Sequence, residues 1–344
     1  MSNVVINPYN FAVAGGLGAW KELARTTLGG SGASIDVTSI PNKMYYMVLF
    51  DQVSRSAYTQ NDELRFNGDS ASSYSRRLSA NGGNSTSINR TNLEGYGNTT
   101  QNVFKVGYFD NLSAQEKLSH VQEISNNATG AGTAPTRINY AYKWANTSSV
   151  INQINWYLVS GETFGSGSEL VVLGYDPTDT HTTADNFWQE LASVELGSTN
   201  ATFDSGTFTA KKYLWVQVYL NANAAVEQRM RFNSDSTSSY SFRYSSNGAT
   251  DVTAINDSNG LVGNGGVSTP TFTNMFIVNN SATEKLAISD NLYQSTAGAG
   301  SDPDRFQAVN KWANTSSQIT SIQLFNLSGG VYQAGSLIKV WGHD

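Results

Sequence analysis

Lys143-Trp144-Ala145-Asn146-Thr147-Ser148-Ser149 returns unchanged as Lys311-Trp312-Ala313-Asn314-Thr315-Ser316-Ser317. Two further motifs repeat in the same order. Trp20-Lys21-Glu22-Leu23-Ala24 becomes Trp188-Gln189-Glu190-Leu191-Ala192, and Arg65-Phe66-Asn67-Gly68-Asp69 becomes Arg231-Phe232-Asn233-Ser234-Asp235. Trp144 and Trp312 lie 168 residues apart, Trp20 and Trp188 also 168, and Phe66 and Phe232 166. Solenoid units run about 20–50 residues, so this period marks a duplicated domain. Copy two is two residues shorter between Trp188 and Phe232 and two longer between Asn247 and Ala282. Compensating changes of that kind belong in loops.

At 344 residues the chain exceeds the size at which one core stops growing, about 250–300 residues. The division expected is an arm over 1–18, a first domain over 19–176, a linker over 177–186 and a second domain over 187–344. Charged residues are 14% of the chain, against about 25% in an average globular protein. With 7 Trp, 17 Tyr and 15 Phe the chain has the apolar bulk to fold. It has no cysteine, which excludes disulfide and thiolate chemistry. A net charge of −6 opposes non-specific nucleic-acid binding. No apolar run approaches the length of a membrane helix, and the start lacks a basic leader region, so synthesis as a soluble cytoplasmic protein is expected.

Strand signals dominate. Met44–Val53 and Tyr213–Leu220 are rich in aromatic and β-branched residues and read as central strands. Ile322, Leu324 and the closing Leu337–Trp341 alternate at period two. Gly167-Ser168 and Gly335-Ser336 precede matching strands, where glycine suits a turn of positive φ. Ser113-Ala114-Gln115-Glu116 and Ser281-Ala282-Thr283-Glu284 fit a helix capping box, but the flanking residues read as strand, tight turn, strand. Thr129–Gly132 and Ala297–Gly300 read as loops.

The arm joins Val5, Ile6, Tyr9 and Phe11 to a hinge at Gly15, Gly16 and Gly18. It is either an extra strand on its own domain or an anchor that pairs with a neighbour.

The catalytic inventory is poor. His120, His181 and His343 all fall outside the repeated motifs, and there is neither a Gly-x-Ser-x-Gly context nor a zinc-ligand spacing. Asp302 and Asp304, or Asn256–Gly260, supply oxygens without the full calcium-loop pattern. The sequence therefore predicts no catalytic residue, no metal site and no cofactor.

The most specific local signal is Phe66, Asp69, Tyr74 and Arg77, repeated as Phe232, Asp235, Tyr240 and Arg243. Its structural reading is a strand ending at Phe, an Asx-type turn, and a return strand with Tyr inward and Arg outward. A functional reading makes it a pocket in which Asp accepts sugar hydroxyls and Tyr offers a stacking face. Trp144 and Trp312 read as core or strand-edge plugs, in preference to ligand platforms, in a segment that opens the penultimate strand of each copy.

These motifs, followed by an Asn-rich hairpin, an Ile-rich strand and the endings Leu173-Gly174 and Trp341-Gly342, resemble a jelly-roll module of tailed-bacteriophage virion proteins. The resemblance covers nearly the whole chain after residue 18. It implies two tandem antiparallel β-sandwich domains of jelly-roll type, in an all-β chain with an extended N-terminal arm. It further implies a non-enzymatic virion structural protein, chiefly a capsid decoration (cement) protein that binds the major capsid protein or other virion proteins as a homotrimer. Head, tail and fibre proteins can all carry the module, so a tail or fibre module binding host-surface carbohydrate is the competing expectation, and an accessory domain of a carbohydrate-active enzyme is the third.

Overall fold

The computed structural model describes residues 20–95, 99–179, 185–223, 226–265, 270–294 and 297–344. Val5, Ile6, Tyr9, Phe11 and His181 lie outside the described residues. Among the described residues there is no α-helix, and the strands form four antiparallel sheets.

The first half contributes β1 (Lys21–Thr27), β2 (Ser34–Val37), β3 (Tyr45–Gln52), β4 (Glu63–Phe66), β5 (Tyr74–Ala80) and β6 (Gly83–Arg90). It continues with β7 (Leu93–Glu94), β8 (Val103–Asp110), β9 (Lys117–Ser125), β10 (Thr136–Trp144), β11 (Ile154–Tyr157) and β12 (Glu169–Tyr175). The second half contributes β13 (Gln189–Glu195), β14 (Thr202–Asp204), β15 (Tyr213–Asn221), β16 (Val226–Phe232), β17 (Tyr240–Ser246) and β18 (Val252–Asp257). There follow β19 (Gly260–Gly265), β20 (Pro270–Val278), β21 (Lys285–Tyr293), β22 (Asp304–Trp312), β23 (Ile322–Asn326) and β24 (Leu337–His343).

An eight-stranded sheet ordered β1-β12-β3-β8-β9-β10-β5-β6 and a four-stranded sheet ordered β2-β11-β4-β7 make the first sandwich. The second repeats both orders as β13-β24-β15-β20-β21-β22-β17-β18 and β14-β23-β16-β19. Register is kept as well: Val48 lies opposite Val172 and Gly107, and its counterpart Val216 lies opposite Val340 and Met275. Each half is thus a jelly-roll-like antiparallel β-sandwich, as the duplication implied.

β3 and β15 sit inside their eight-stranded sheets, and β3 is buried at every residue but its first. A strand covered on both faces has no need to alternate, which is why β3 and the first half of β15 read as continuous apolar runs, whereas β15 alternates from Gln217 onward. In the second core, Leu214, Val216 and Ile338 of the large sheet pack with Phe203, Met230, Phe232 and Leu324 of the small one. In the first, Phe50 of β3 stacks on Trp156 of β11 at 4.4 Å.

Gly167 and Gly335 both have φ +83°, in the left-handed region that the turn before β12 and β24 demands. The closing Gly174 and Gly342 have another cause. A Cβ there would come within 2.4 Å of Leu23 and 2.7 Å of Leu191, which belong to the first strand of each half, paired beside the glycine's own strand. β8 ends at Asp110 and β9 begins at Lys117, so the capping-box segment is a turn between strands.

One expectation needs correction. Trp144 and Trp312 close β10 and β22; they do not open the penultimate strands, which begin at Ile154 and Ile322. Ile138, Tyr140, Tyr142 and Trp144 are all buried at period two, so the Trp is the last inward residue of a strand already running. The strand stops because Asn146 Oδ1 accepts from the backbone N–H groups of Ser148 and Ser149, both at 2.9 Å.

The chain falls into two compact units. Among described residues the first takes those up to Ser79, Asn84–Gln122 and Ile138–Gln189; the second takes Ala80–Gly83, Glu123–Arg137 and Glu190–Asp344. The predicted 177–186 linker is tied to the first unit by Asp179, whose carboxylate meets Lys43 Nζ at 2.5 Å.

Candidate functional site

The repeated motif assembles into the same cluster twice. β4 ends at Phe66, Asn67 and Gly68 turn the chain at φ +52° and +66°, and β5 starts at the buried Tyr74. Asp69 lies under the turn. Its Oδ1 accepts from the Ala71 N–H at 2.8 Å, and its Oδ2 from Ser73 Oγ at 2.6 Å and Trp144 Nε1 at 2.7 Å. In the second copy Asp235 accepts from the Thr237 N–H at 2.9 Å, Ser239 Oγ at 2.7 Å and Trp312 Nε1 at 2.7 Å. The Phe66 N–H donates to Tyr74 Oη at 3.1 Å, and Tyr74 Oη donates to the Asp69 carbonyl at 3.2 Å. The Phe232 N–H reaches Tyr240 Oη at 2.9 Å.

This geometry favours the structural reading of the motif over the sugar pocket. The Asp oxygens are taken by internal donors, and the Tyr74 and Tyr240 rings are buried against Trp144 and Trp312, with centroids 6.4 Å apart in both copies. Burial pushes the Asp235 carboxyl up, but hydrogen bonds from Thr237, Ser239 and Trp312 outweigh it and hold the pKa at about 2. Asp69 is lowered by the same balance, burial opposed by the Ser73 and Trp144 bonds. Burial raises both tyrosines. Such groups are built to stay in one protonation state, the opposite of an acid–base catalyst.

Arg77 is exposed, as the alternation predicts. Arg243 is not fully outward: it is half-buried, and its Nε donates to the Pro135 carbonyl at 2.8 Å. Within its own strand Arg243 has the outward phase; the second unit's residues 123–137 cover it.

Sequence reasoning missed the lysines beneath these clusters. Lys117 Nζ donates to the Asn146 carbonyl at 3.1 Å and lies 6.0 Å from the Trp144 ring; Lys285 donates to Asn314 at 2.9 Å and lies 6.0 Å from Trp312. Burial pulls Lys285 down to about 8, opposed by Glu284. Their equal spacing was the available signal.

Also unforeseen is a cavity of about 170 Å³ in the second unit, lined by Glu227, Arg229, Phe242, Tyr244, Asp257 and Phe306 among others. Arg229 is 8% exposed, pairs with Glu227, and lies over the Phe242 ring at 4.8 Å. Its Nη1 is 3.7 Å from Asp257 and has no hydrogen-bond acceptor among the described residues. Tyr244 stacks on Phe306 at 4.6 Å. An unsatisfied guanidinium N–H between two carboxylates offers polar contacts to a small hydroxylated group, while the Phe242, Tyr244 and Phe306 rings are already engaged by Arg229 and by one another. The first half has Glu63, Arg76 and Leu78 at the positions of Arg229, Phe242 and Tyr244, and there Arg76 is engaged by Glu94 at 2.8 Å. Among the described residues no group of three or more His, Asp or Glu is placed to hold a metal ion. His120 is exposed on β9, and His343 ends β24.

The sequence matches no protein-family model and no curated protein. Among solved structures, the mouse laminin α1 chain domains LG4-5 align over 96% of this chain and 91% of theirs, at 11% identity and a TM-score of 0.21. The attachment invasion locus protein Ail of Yersinia pestis aligns over 83% and 100%, at 5% identity and a TM-score of 0.13. Likeness at this level carries no argument about function.

Proposed function

We propose that the chain is a non-enzymatic structural protein of a tailed-bacteriophage virion, made in the host cytoplasm, and that it decorates the capsid shell. One observation carries the non-enzymatic part: both copies of the duplicated motif turn their polar atoms inward, to Trp144 and Trp312. Duplication here doubled a scaffold. The virion assignment and the trimeric state come from the resemblance of the motifs, and the partner is the major capsid protein or another virion protein. A decoration protein stabilises the shell by binding the assembled state alone. Burying Val5, Ile6, Tyr9 and Phe11 of the arm against the shell would contribute about 1.5–3 kcal/mol per large residue before ordering costs.

The test is occupancy on separated heads and tails, measured by mass census and density maps, for the full chain and for a chain lacking residues 2–14. Full-length protein on heads, and its loss on truncation with both sandwiches still folded, is the expected result. Protein found on tails alone, or polysaccharide turnover abolished by substituting a histidine, would overturn the reading.

A second reading, a tail or fibre module that holds host-surface carbohydrate, is favoured by the Arg229 cavity. Glycan binding to the isolated protein that Arg229→Ala abolishes would select it.

A further inference from the structure

Residues Glu123–Arg137 are first-repeat residues by sequence and members of the second compact unit by packing. Inside that unit, second-repeat side chains grip their backbone. Glu284 accepts from the Gly130 N–H at 2.5 Å and from Asn126 Nδ2. Lys311 Nζ donates to the Ala128 carbonyl at 2.8 Å and to that of Asn126 at 3.3 Å. Ser241 Oγ and Arg243 Nε donate to the carbonyls of Thr133 and Pro135 at 3.2 and 2.8 Å. The Asn256 N–H donates to the Ala131 carbonyl at 2.9 Å. Glu284, Lys311 and Ser241 are buried by the contact.

The chain carries both sides of this contact a second time. At a spacing of 168, Gly130-Ala131-Gly132-Thr133-Ala134-Pro135-Thr136-Arg137 returns as Gly298-Ala299-Gly300-Ser301-Asp302-Pro303-Asp304-Arg305. The left-handed glycine is kept, with φ +82° at Gly130 and +93° at Gly298. The gripping residues return too: Ser75, Arg77, Glu116 and Lys143 stand where the second repeat has Ser241, Arg243, Glu284 and Lys311. Asn89, at φ +52°, matches Asn256 at +51°.

Their surroundings differ. Ala131, Pro135 and Arg137 are buried, whereas Ala297–Pro303 are exposed. Arg77, Asn89 and Glu116 are exposed, with Glu116 paired to Lys143 at 3.4 Å.

We propose that a second copy of this chain completes the contact: residues 297–305 of one copy seat on the face formed by β5, β6, β10 and the turn before β9 in the next. The groups gripped are mainly backbone N–H and C=O, so exchanges such as Thr133 for Ser301 leave them unaltered. Glu116 reproduces the acceptor that Glu284 offers to the Gly130 N–H, now for the Gly298 N–H, and Asp302 and Asp304, standing where the first loop has Ala134 and Thr136, bring two carboxylates toward Arg77 and Lys143. Two elements are missing: the partners of Lys311 and Glu284 at Asn126 and Ala128 have their counterparts outside 297–305, and Asp251 has none. Arg137 pairs with Asp251 at 2.6 Å, and the first repeat has Asn84 and Ser85 in that region, so the contact between chains is the weaker and is concentration-dependent. Joining two different surfaces, it is heterologous, and it closes into a ring or extends as a filament. The inference stands on the second unit's contacts and does not rest on the virion reading.

The test uses the full-length chain in sedimentation velocity across a hundredfold concentration range, with circular dichroism confirming the fold of each variant. Glu116→Arg blocks the receiving face and Ala299→Arg blocks the loop; both residues are exposed. The wild type is expected to assemble with rising concentration, each variant alone to stay monomeric, and an equimolar mixture to stop at a dimer, because one intact loop then meets one intact face. A wild type that remains monomeric throughout, assembly that neither variant reduces, or monomeric variants whose mixture yields no dimer would each overturn the proposal.

Discussion

Asp62 and Lys105 form a buried ion pair of 2.6 Å in the first sandwich, at the positions where the second sandwich has Gln228 and Thr273. Trp156 Nε1 also donates to Asp62, and Lys105 lies 4.7 Å from the Trp156 ring. The charge of Lys105 and these hydrogen bonds overcome burial and keep the Asp62 carboxyl below its usual range. In the second half Gln228 Nε2 donates to Thr271 Oγ1 at 2.7 Å and Leu324 replaces the Trp. One fold thus tolerates a charged and a neutral solution at the same depth.

Removing one partner strands a buried charge, whereas replacing the whole set does not. Asp62→Asn or Lys105→Met should each lower unfolding free energy by about 3–5 kcal/mol. Installing the second half's set, Asp62→Gln with Lys105→Thr and Trp156→Leu, should recover part of that loss. Urea titration followed by tryptophan emission measures all of them.

Asp235 predicts the acid limb. Its folded pKa of about 2 lies below the unfolded value of about 3.9, so its stabilisation is complete above the unfolded value and is lost as pH falls through the folded one. Asp235→Asn should be less stable at neutral pH, and the difference from wild type should shrink between about pH 4 and pH 2. A gap that stays constant over that range would show that the carboxylate charge is not what Trp312 and Ser239 require.

Lys285 acts at the alkaline side. A lysine depressed to about 8 from its unfolded value near 10.4 leaves the unfolded chain holding more protons between those values, so its contribution to stability rises with pH there. Lys285→Met should remove that rise. Thermal melts of both proteins from pH 7 to 10 give the difference directly, with the tyrosine contributions common to both.

Gly174→Ala and Gly342→Ala force a methyl into Leu23 and Leu191, and each should cost about 1–3 kcal/mol. Gly197→Ala is the control: no atom lies within 4 Å of its added Cβ, so it should be near neutral.

The all-β class, the duplication and the strand-turn-strand segment around Ala114 were legible in order and spacing, because period-two burial and paired motifs are properties of the chain itself. The inward Tyr74 and outward Arg77 followed from the same alternation. The position of Trp144 was misjudged because Asn146 ends β10 only through hydrogen bonds to Ser148 and Ser149, which spacing does not display. What tertiary structure alone decided is where identical residues find partners. Glu116 and Glu284 are the same letter in the same motif, yet one is exposed beside Lys143 and the other is buried against the Gly130 N–H. The Arg229 cavity likewise goes with Arg229, Phe242 and Tyr244 standing where the first half has Glu63, Arg76 and Leu78. Local sequence sets a residue's phase on its strand; desolvation and hydrogen-bond partners come from segments distant in the chain, and only the folded molecule brings those together.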